Sequence, residues 1–231
     1  MNVQTNIKSP STVPLRRGSE IFYPESDGEP MAETDFHAKL LTDLRIALEI
    51  FFADREDVYV TGNIMFYYAE GEPKEVVSPD VMVCFGIPKG NRRSYKTWEE
   101  NDVVPSVVIE ISSLGTWKKD RVEKRMLYEM LGVKEYFIFN PLDLKLEFPF
   151  QAFRLKNGEF DSVKIENQRV KSEVLDLELV VKGKTLRLYN PATNEFLKTT
   201  EELAETVGEL SQENSALKTE IERLKKLLEN K

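Results

Sequence analysis

The chain has one cysteine and one histidine in 231 residues. A single thiol excludes an internal disulfide and any cysteine-built zinc cluster, and a single imidazole excludes a multi-histidine metal centre or a two-histidine helical protease motif. Cys84 lies among strand-like apolar residues in VMVCFG with no neighbouring base to activate it, so it reads as a small buried hydrophobe. No apolar run approaches the ~20 residues needed to cross a bilayer. The opening stretch MNVQTNIKSPSTVPLRRGSE lacks the apolar centre of a signal peptide. A cytoplasmic location without membrane contact is therefore expected. No internal repeat of solenoid type is visible.

An excess of positive charge is also missing. The net charge is −8, which argues against a basic protein that coats nucleic acid non-specifically. Local charge can oppose the net, and two segments do so. Arg92, Arg93 and Lys96 surround Tyr95, and WKKDRVEKR (117–125) carries Lys118, Lys119 and Arg121. Each is either an ordinary solvated face or a patch that contacts backbone phosphates without sequence choice.

Residues 1–30 are rich in Ser, Pro, Gly and charge and read as a flexible leader, with a short ordered piece expected near IFYP. Thr34 or Asp35 can cap a helix in which Phe36, Leu40, Leu41, Leu44, Ala47, Leu48 and Phe51 fall on one side. DVYVTGNIMFYYA, DVMVCFG, SVVIEIS and KEYFIFNP follow as strands, with a second helix over 119–131 closed by Gly132. Strand–helix–strand order around 106–140 favours a parallel pair. Asn157-Gly158 and Lys182-Gly183-Lys184 mark turns in a strand-rich remainder to about 190. The expected class is mixed α and β (α/β, or α+β), a central mixed sheet flanked by helices over 31–195.

The last segment, 199–231, has a separate logic. Leu203, Leu210, Leu217 and Leu224 recur every seventh residue, with Val207, Asn214, Ile221 and Leu228 between them. This is an a/d heptad seam with leucine at d and one asparagine at a. Glu213 and Glu220 at g can reach Lys218 and Lys225 at e of a partner helix in parallel register. A parallel homodimer is expected; the alternative is a helix folded on its own domain.

The unusual residue is Glu110. In SVVIEIS, Val107, Ile109 and Ile111 share one strand face, and Val108, Glu110 and Ser112 the other. A strand apolar on both faces is covered on both sides. An unpaired carboxylate there would cost several kcal/mol. Glu110 is thus either neutralised by a structural partner or holds a cation. Asp80, directly after Ser78-Pro79 at the head of a strand, is a second acid that could converge on it. Mg²⁺ (or Mn²⁺) suits one or two carboxylates completed by water and phosphate oxygens.

SPD at 78–80 followed by VVIEIS at 107–112 resembles the PD-(D/E)XK nuclease superfamily and its restriction-endonuclease-like fold. The string IEISSLGTWKKDRVEKRMLYEMLGVKEYFIFNP (109–141) is similar to the Uma-two family of restriction-endonuclease-like proteins. Glu110, Ser113, Thr116, Asp120, Lys124, Tyr128, Gly132, Val133, Glu135 and Tyr136 match that family's order and spacing. The resemblance covers about 31–190 and is specific over 78–141. The superfamily lysine, two residues after the strand acid, is replaced here by Ser112, and Leu114 stands where the family turn often has proline. In the resembled family the lysine comes from the following helix, which points to Lys124, with Asp120 one turn before it. The resemblance also implies a contribution from the first helix, for which Glu33 and His37 are the candidates. It implies a Mg²⁺-dependent endonuclease hydrolysing DNA, with Asp80 and Glu110 as metal ligands and Lys124 as the catalytic cation. A nuclease-like domain that serves as an inactive binding or assembly module stays open at this stage, as does RNA as substrate.

Overall fold

The computed structural model describes residues 21–26, 34–113, 116, 118–141 and 149–229. Glu33, Leu114 and Trp117 fall outside the described residues. Helix α1 (Asp35–Phe51) opens the chain order, followed by β1 (Val58–Thr61), β2 (Phe66–Tyr67), β3 (Val76–Val77), β4 (Val81–Phe85) and β5 (Tyr95–Lys96). Next come β6 (Val107–Ile111), a π-helical segment (Lys119–Lys124) that runs into α2 (Arg125–Leu131), β7 (Glu135–Phe139), β8 (Phe150–Lys156) and β9 (Glu159–Ser162). Strands β10 (Arg169–Ser172), β11 (Leu177–Lys182), β12 (Thr185–Asn190) and β13 (Glu195–Phe196) precede the long helix α3 (Thr200–Glu229).

The central sheet has six strands in the order β1-β4-β6-β7-β8-β9. The pair β6–β7 is parallel, as the helix between them requires, and every other neighbour is antiparallel. The class is mixed α and β, as the sequence indicates. A second sheet, β10-β11-β12-β13, and a small one, β3-β2-β5, complete the described strands. The Asn157-Gly158 hairpin joins β8 to β9 with both residues at positive φ, 53° and 88°, as a two-residue turn of the primed type demands.

Helix α1 begins where Thr34 accepts a hydrogen bond from the His37 N–H, with Asp35 in the first turn. Leu40, Leu41, Leu44, Ala47 and Leu48 are buried. Phe36, expected to start this stripe, is 39% exposed and belongs to the rim of a pocket instead. The helix lies between the two larger sheets: Leu44 and Leu48 share one core with Val81, Ile109 and Phe137 from the first, and with Leu179 and Leu188 from the second. The opposite face of the central sheet carries a second core of Tyr59, Met82, Cys84, Val108, Tyr128 and Tyr136. The two faces of β6 therefore divide as its alternation predicts, with Val107, Ile109 and Ile111 toward α1 and Val108 toward α2.

A buried acid also locks the sheets together. Glu135 is 1% exposed and accepts from Arg154 at 3.0 Å and from the Glu173 N–H at 2.9 Å, with the Ser172 hydroxyl on its other oxygen. This buried charge is answered within the fold. Among the described residues no helix is long and apolar enough to cross a membrane.

The start of β4 is held by a close backbone approach. A Cβ at Gly62 would lie 1.9 Å from the Asp80 carbonyl oxygen. Gly62→Ala is expected to destabilise the protein by about 1–3 kcal/mol, read as a lower urea midpoint. An unchanged midpoint would show that the 61–63 turn can retreat freely.

Candidate active site

The carboxyl end of β6 is where the site is built. Val81 pairs with Ile109 in antiparallel register, and continuing that register sets Asp80 opposite Glu110 on the face that carries Met82 and Val108. The chain turns away at Asp80, so the ladder lacks its next backbone acceptor. Asp80 Oδ2 takes that place and accepts the Ile111 N–H at 2.7 Å. The other polar group of the same residue, the Ile111 carbonyl, accepts from His37 Nε2 at 2.7 Å. Two site side chains thus cap the two backbone groups of Ile111, one from the residue before β4 and one from α1.

Glu110 is 1% exposed. Lys124 donates to its Oε2 at 2.7 Å and Tyr128 donates to its Oε1 at 2.9 Å. Lys124 lies also 3.3 Å from Asp120 Oδ1, and Asp120 Oδ2 accepts from the Ser112 hydroxyl at 2.6 Å. Asp80, Glu110, Ser112, Asp120, Lys124 and His37 line one pocket of about 190 Å³, with Phe36 and Pro141 at its wall.

The helix segment explains how Asp120, Lys124 and Tyr128 all point inward. They are spaced by four residues, and a plain α-helix would rotate each by ~40° from the last. The wider π-turn over Lys119–Lys124 brings consecutive i, i+4 positions closer to one line. Such π-segments recur at functional sites. Gly132, in the left-handed region at φ 83°, closes the helix. The Val133 N–H then returns to the Tyr128 carbonyl at 2.9 Å.

Electrostatically the pocket is acidic around one ammonium. Burial pushes the Glu110 carboxyl up to about 8, against the pull of Lys124 and with the push of Asp80 and Asp120. Burial alone would lower the Lys124 ammonium, yet Glu110, Asp120 and Asp80 hold it above its ordinary value. Burial would likewise raise Asp80, but the His37 contact, the Lys124 charge and the Ile111 N–H keep it below the usual carboxylate range.

The donor set suits a hard cation in one respect. Asp80 and Glu110 would supply its oxygen ligands, and the Lys124 ammonium sits where positive charge is favoured. Among the described residues no group of three His, Cys, Asp or Glu side chains is arranged to close round a metal ion. A cation there would keep much of its water. His37 donates from Nε2 to a carbonyl and lies 3.6 Å from Asp80, so that nitrogen is occupied in this arrangement.

Of the basic residues, Lys118, Lys119 and Arg121 lie on the segment that leads into the pocket, the first two exposed. Arg92 faces the fold: it makes two hydrogen bonds to Glu100, at 2.5 and 2.9 Å, and stacks over Tyr59 at 4.1 Å. Tyr59 pairs with Cys84, four residues along β4 from Asp80 and so on the order of 13 Å away. Lys96 pairs with Glu99, and Arg93 with Glu25. The 92–96 patch is separate from the pocket. Tyr128 is a site residue that charge-based reasoning passes over. Its signal is its place one turn beyond Lys124 on the same face.

Because the Glu110 carboxyl titrates near 8 in the folded chain and near 4.5 when unfolded, the unfolded state releases this proton first as pH rises. Its contribution therefore falls between about pH 4.5 and 8. Lys124 and Asp80, shifted outside that window, add no slope there. Denaturant unfolding at pH 5 and 8 is expected to show wild type losing stability where Glu110→Gln does not. Parallel pH profiles for the two would refute the assignment.

The sequence model of the Uma2 family, described as "Putative restriction endonuclease", matches residues 13–188. No curated protein matches the chain. Among solved structures, a crystal structure titled as a "putative nuclease belonging to DUF820" from Anabaena variabilis matches with a TM-score of 0.45 and 10% identity, over 62% of this chain and 75% of that chain. The family match spans the strand that carries Glu110, the helix that carries Lys124, the whole central sheet and the second sheet into β12: the chain belongs to the Uma2 family of restriction-endonuclease-like proteins.

Proposed function

We propose that the protein is a divalent-metal-dependent endonuclease that hydrolyses DNA phosphodiester bonds. The observation that carries this reading is the meeting of Glu110, buried in β6, with Asp80 from the neighbouring strand and Lys124 from the next helix, in one pocket. Asp80 and Glu110 would hold Mg²⁺ or Mn²⁺. When bound, such an ion polarises a phosphodiester and lowers the pKa of water. The chain's own groups do the rest. Tyr128 holds Oε1 of Glu110 and so fixes the direction of the carboxylate. Asp120, anchored by Ser112, offers Lys124 a second acceptor when Glu110 turns to another cation. Lys124 is then free to meet a phosphate oxygen and stabilise charge that grows there. Lys118, Lys119 and Arg121 would contact backbone phosphates beside the pocket.

The same heptad seam read from the sequence supports a parallel homodimer through α3 as the assembly. Val207, Leu210, Leu217, Ile221, Leu224 and Leu228 are between 48% and 74% exposed in the single chain. Asn214, at an a position, donates to the Leu210 carbonyl of its own helix at 2.9 Å. Two sites set against two strands suit double-strand cleavage. A second reading, an inactive module that binds or assembles, is favoured by one observation: both oxygens of Glu110 have donors from the chain itself, Lys124 and Tyr128.

Cleavage of plasmid DNA with Mg²⁺ or Mn²⁺ decides between them. Wild type is expected to cut, Asp80→Ala and Glu110→Ala to be inert, and Lys124→Ala to lose about 10²–10³-fold in rate while binding DNA nearly as before. No product from wild type, or equal cutting by the acid variants, would leave the inactive module. Independently, Leu210→Glu with Leu217→Glu should sediment as a monomer where wild type sediments as a dimer; equal sedimentation would remove the seam from the assembly.

A further inference from the structure

Helix α3 does not leave the domain as a tether. Its first turn is closed by a capping box, in which Thr199 Oγ1 accepts the Glu202 N–H at 3.3 Å and Glu202 accepts the Thr199 N–H at 2.8 Å. Three links then fix that turn to two different elements. Asp43 of α1 accepts both the N–H and the hydroxyl of Thr200, at 2.9 and 2.6 Å. Lys39 of α1 donates to Glu201 at 2.7 Å. Arg187 of β12 makes two bonds to Glu202, at 3.1 and 2.7 Å. An exposed pair such as Lys39–Glu201 contributes little alone. Ties from two elements to successive residues nevertheless fix a direction, which no single tie does.

The seam starts at this joint. Leu203, its first d residue, is half-buried against the domain, and every later leucine of the heptad is exposed. From Val207 to Leu228 the free seam runs on the order of 32 Å. Gly208 is the soft point of the helix, and α3 continues through it without a break. The helix that receives the joint also serves the pocket: His37 and Asp43 are both on α1, six residues or ~9 Å apart. Phe36 lines both the active-site pocket and the hollow at the base of α3.

We propose that α3 is a rigid strut rather than a flexible dimerisation tail. Its seam takes the same helix of a second copy from the domain surface outward, so that the two pockets are held at one separation and orientation. The occupant is a second copy because the charges fit it: Glu213 and Glu220 meet Lys218 and Lys225 only when an identical helix lies parallel and in register. The inference rests on the parallel-homodimer reading above and goes beyond it. A coiled coil on a loose linker would dimerise equally well and leave the two sites free to tumble.

The buried Cys84 allows selective labelling at an introduced exposed cysteine. Full-length Glu159→Cys, spin-labelled on β9, is to be measured by pulsed electron–electron resonance, alone and with Gly-Ser-Gly-Ser inserted between Lys198 and Thr199. The expected result is one narrow inter-label distance that at least doubles in width on insertion, while sedimentation reports a dimer for both. A dimer whose distance distribution is already broad, or is unchanged by the insertion, overturns the strut and leaves the dimer standing. A monomer on sedimentation overturns the dimer reading and the strut with it. Neither readout depends on cleavage, so failure of the nuclease reading is separately visible.

Discussion

The Lys124–Glu110 contact, 2.7 Å across the carboxyl end of β6, is the interaction on which the architecture of the site depends. A carboxylate buried in the middle of a sheet is tolerable only if its charge is answered, and every other feature near it serves that answer. The π-turn brings Lys124 over the strand, and Tyr128 takes the oxygen that the ammonium leaves. Asp120 fixes the far side of Lys124 and is itself fixed by Ser112. The Ser112 hydroxyl thus holds the acid that steadies Lys124, so the strand residue two after Glu110 and the helix lysine belong to one arrangement.

Around that contact the fold divides labour between its faces. The α1 side supplies bulk, since α1 is packed between two sheets and cannot shift without opening the larger core. The α2 side supplies aromatic hydroxyls inside an otherwise apolar layer: Tyr128 to Glu110, and Tyr136 to the Asp120 carbonyl at 2.9 Å. A phenol suits this position because its ring packs as core while its hydroxyl meets a buried acceptor. His37 comes from the α1 side and reaches round the end of β6 to the Ile111 carbonyl. The pocket therefore opens where the sheet ends, between elements that are themselves immobilised on opposite faces.

What the sequence made legible follows from periodicity. The two faces of β6, the helix starting at Thr34, the Gly132 stop, the Asn157-Gly158 hairpin and the heptads of α3 are local patterns with local causes, and they appear in the chain as written. Glu110 was legible because it breaks such a pattern. Other features depend on tertiary context. The π-turn has no compositional mark in KDRVEK, and Phe36 continues the helical stripe of α1 yet is exposed at the pocket rim. Arg92 reads as surface charge, whereas Glu100, eight residues on, folds back to pair with it. The second sheet was hidden too, because short strands after residue 165 alternate in the same way whether they extend one sheet or form another. Glu135 is the sharpest case. It is as buried as Glu110, but its strand neighbours give no sign that Arg154 and a loop beyond β10 will close on it.

Those two buried acids also show why burial alone does not identify a site. Around Glu135, an arginine, a hydroxyl and a backbone N–H meet one carboxylate, and the other acid on that arginine, Glu173, is exposed. Around Glu110, two carboxylates meet one ammonium, and Asp80 with an imidazole beside it lines the same pocket. Replacing a buried charged cluster by apolar groups of like volume is often neutral or stabilising, so a surplus of negative charge gains the fold nothing. Glu135 is solved as a structural problem. Glu110 shares its ammonium with Asp120, in a pocket that Asp80 and His37 also line, and that unequal count of charges sets it apart from Glu135.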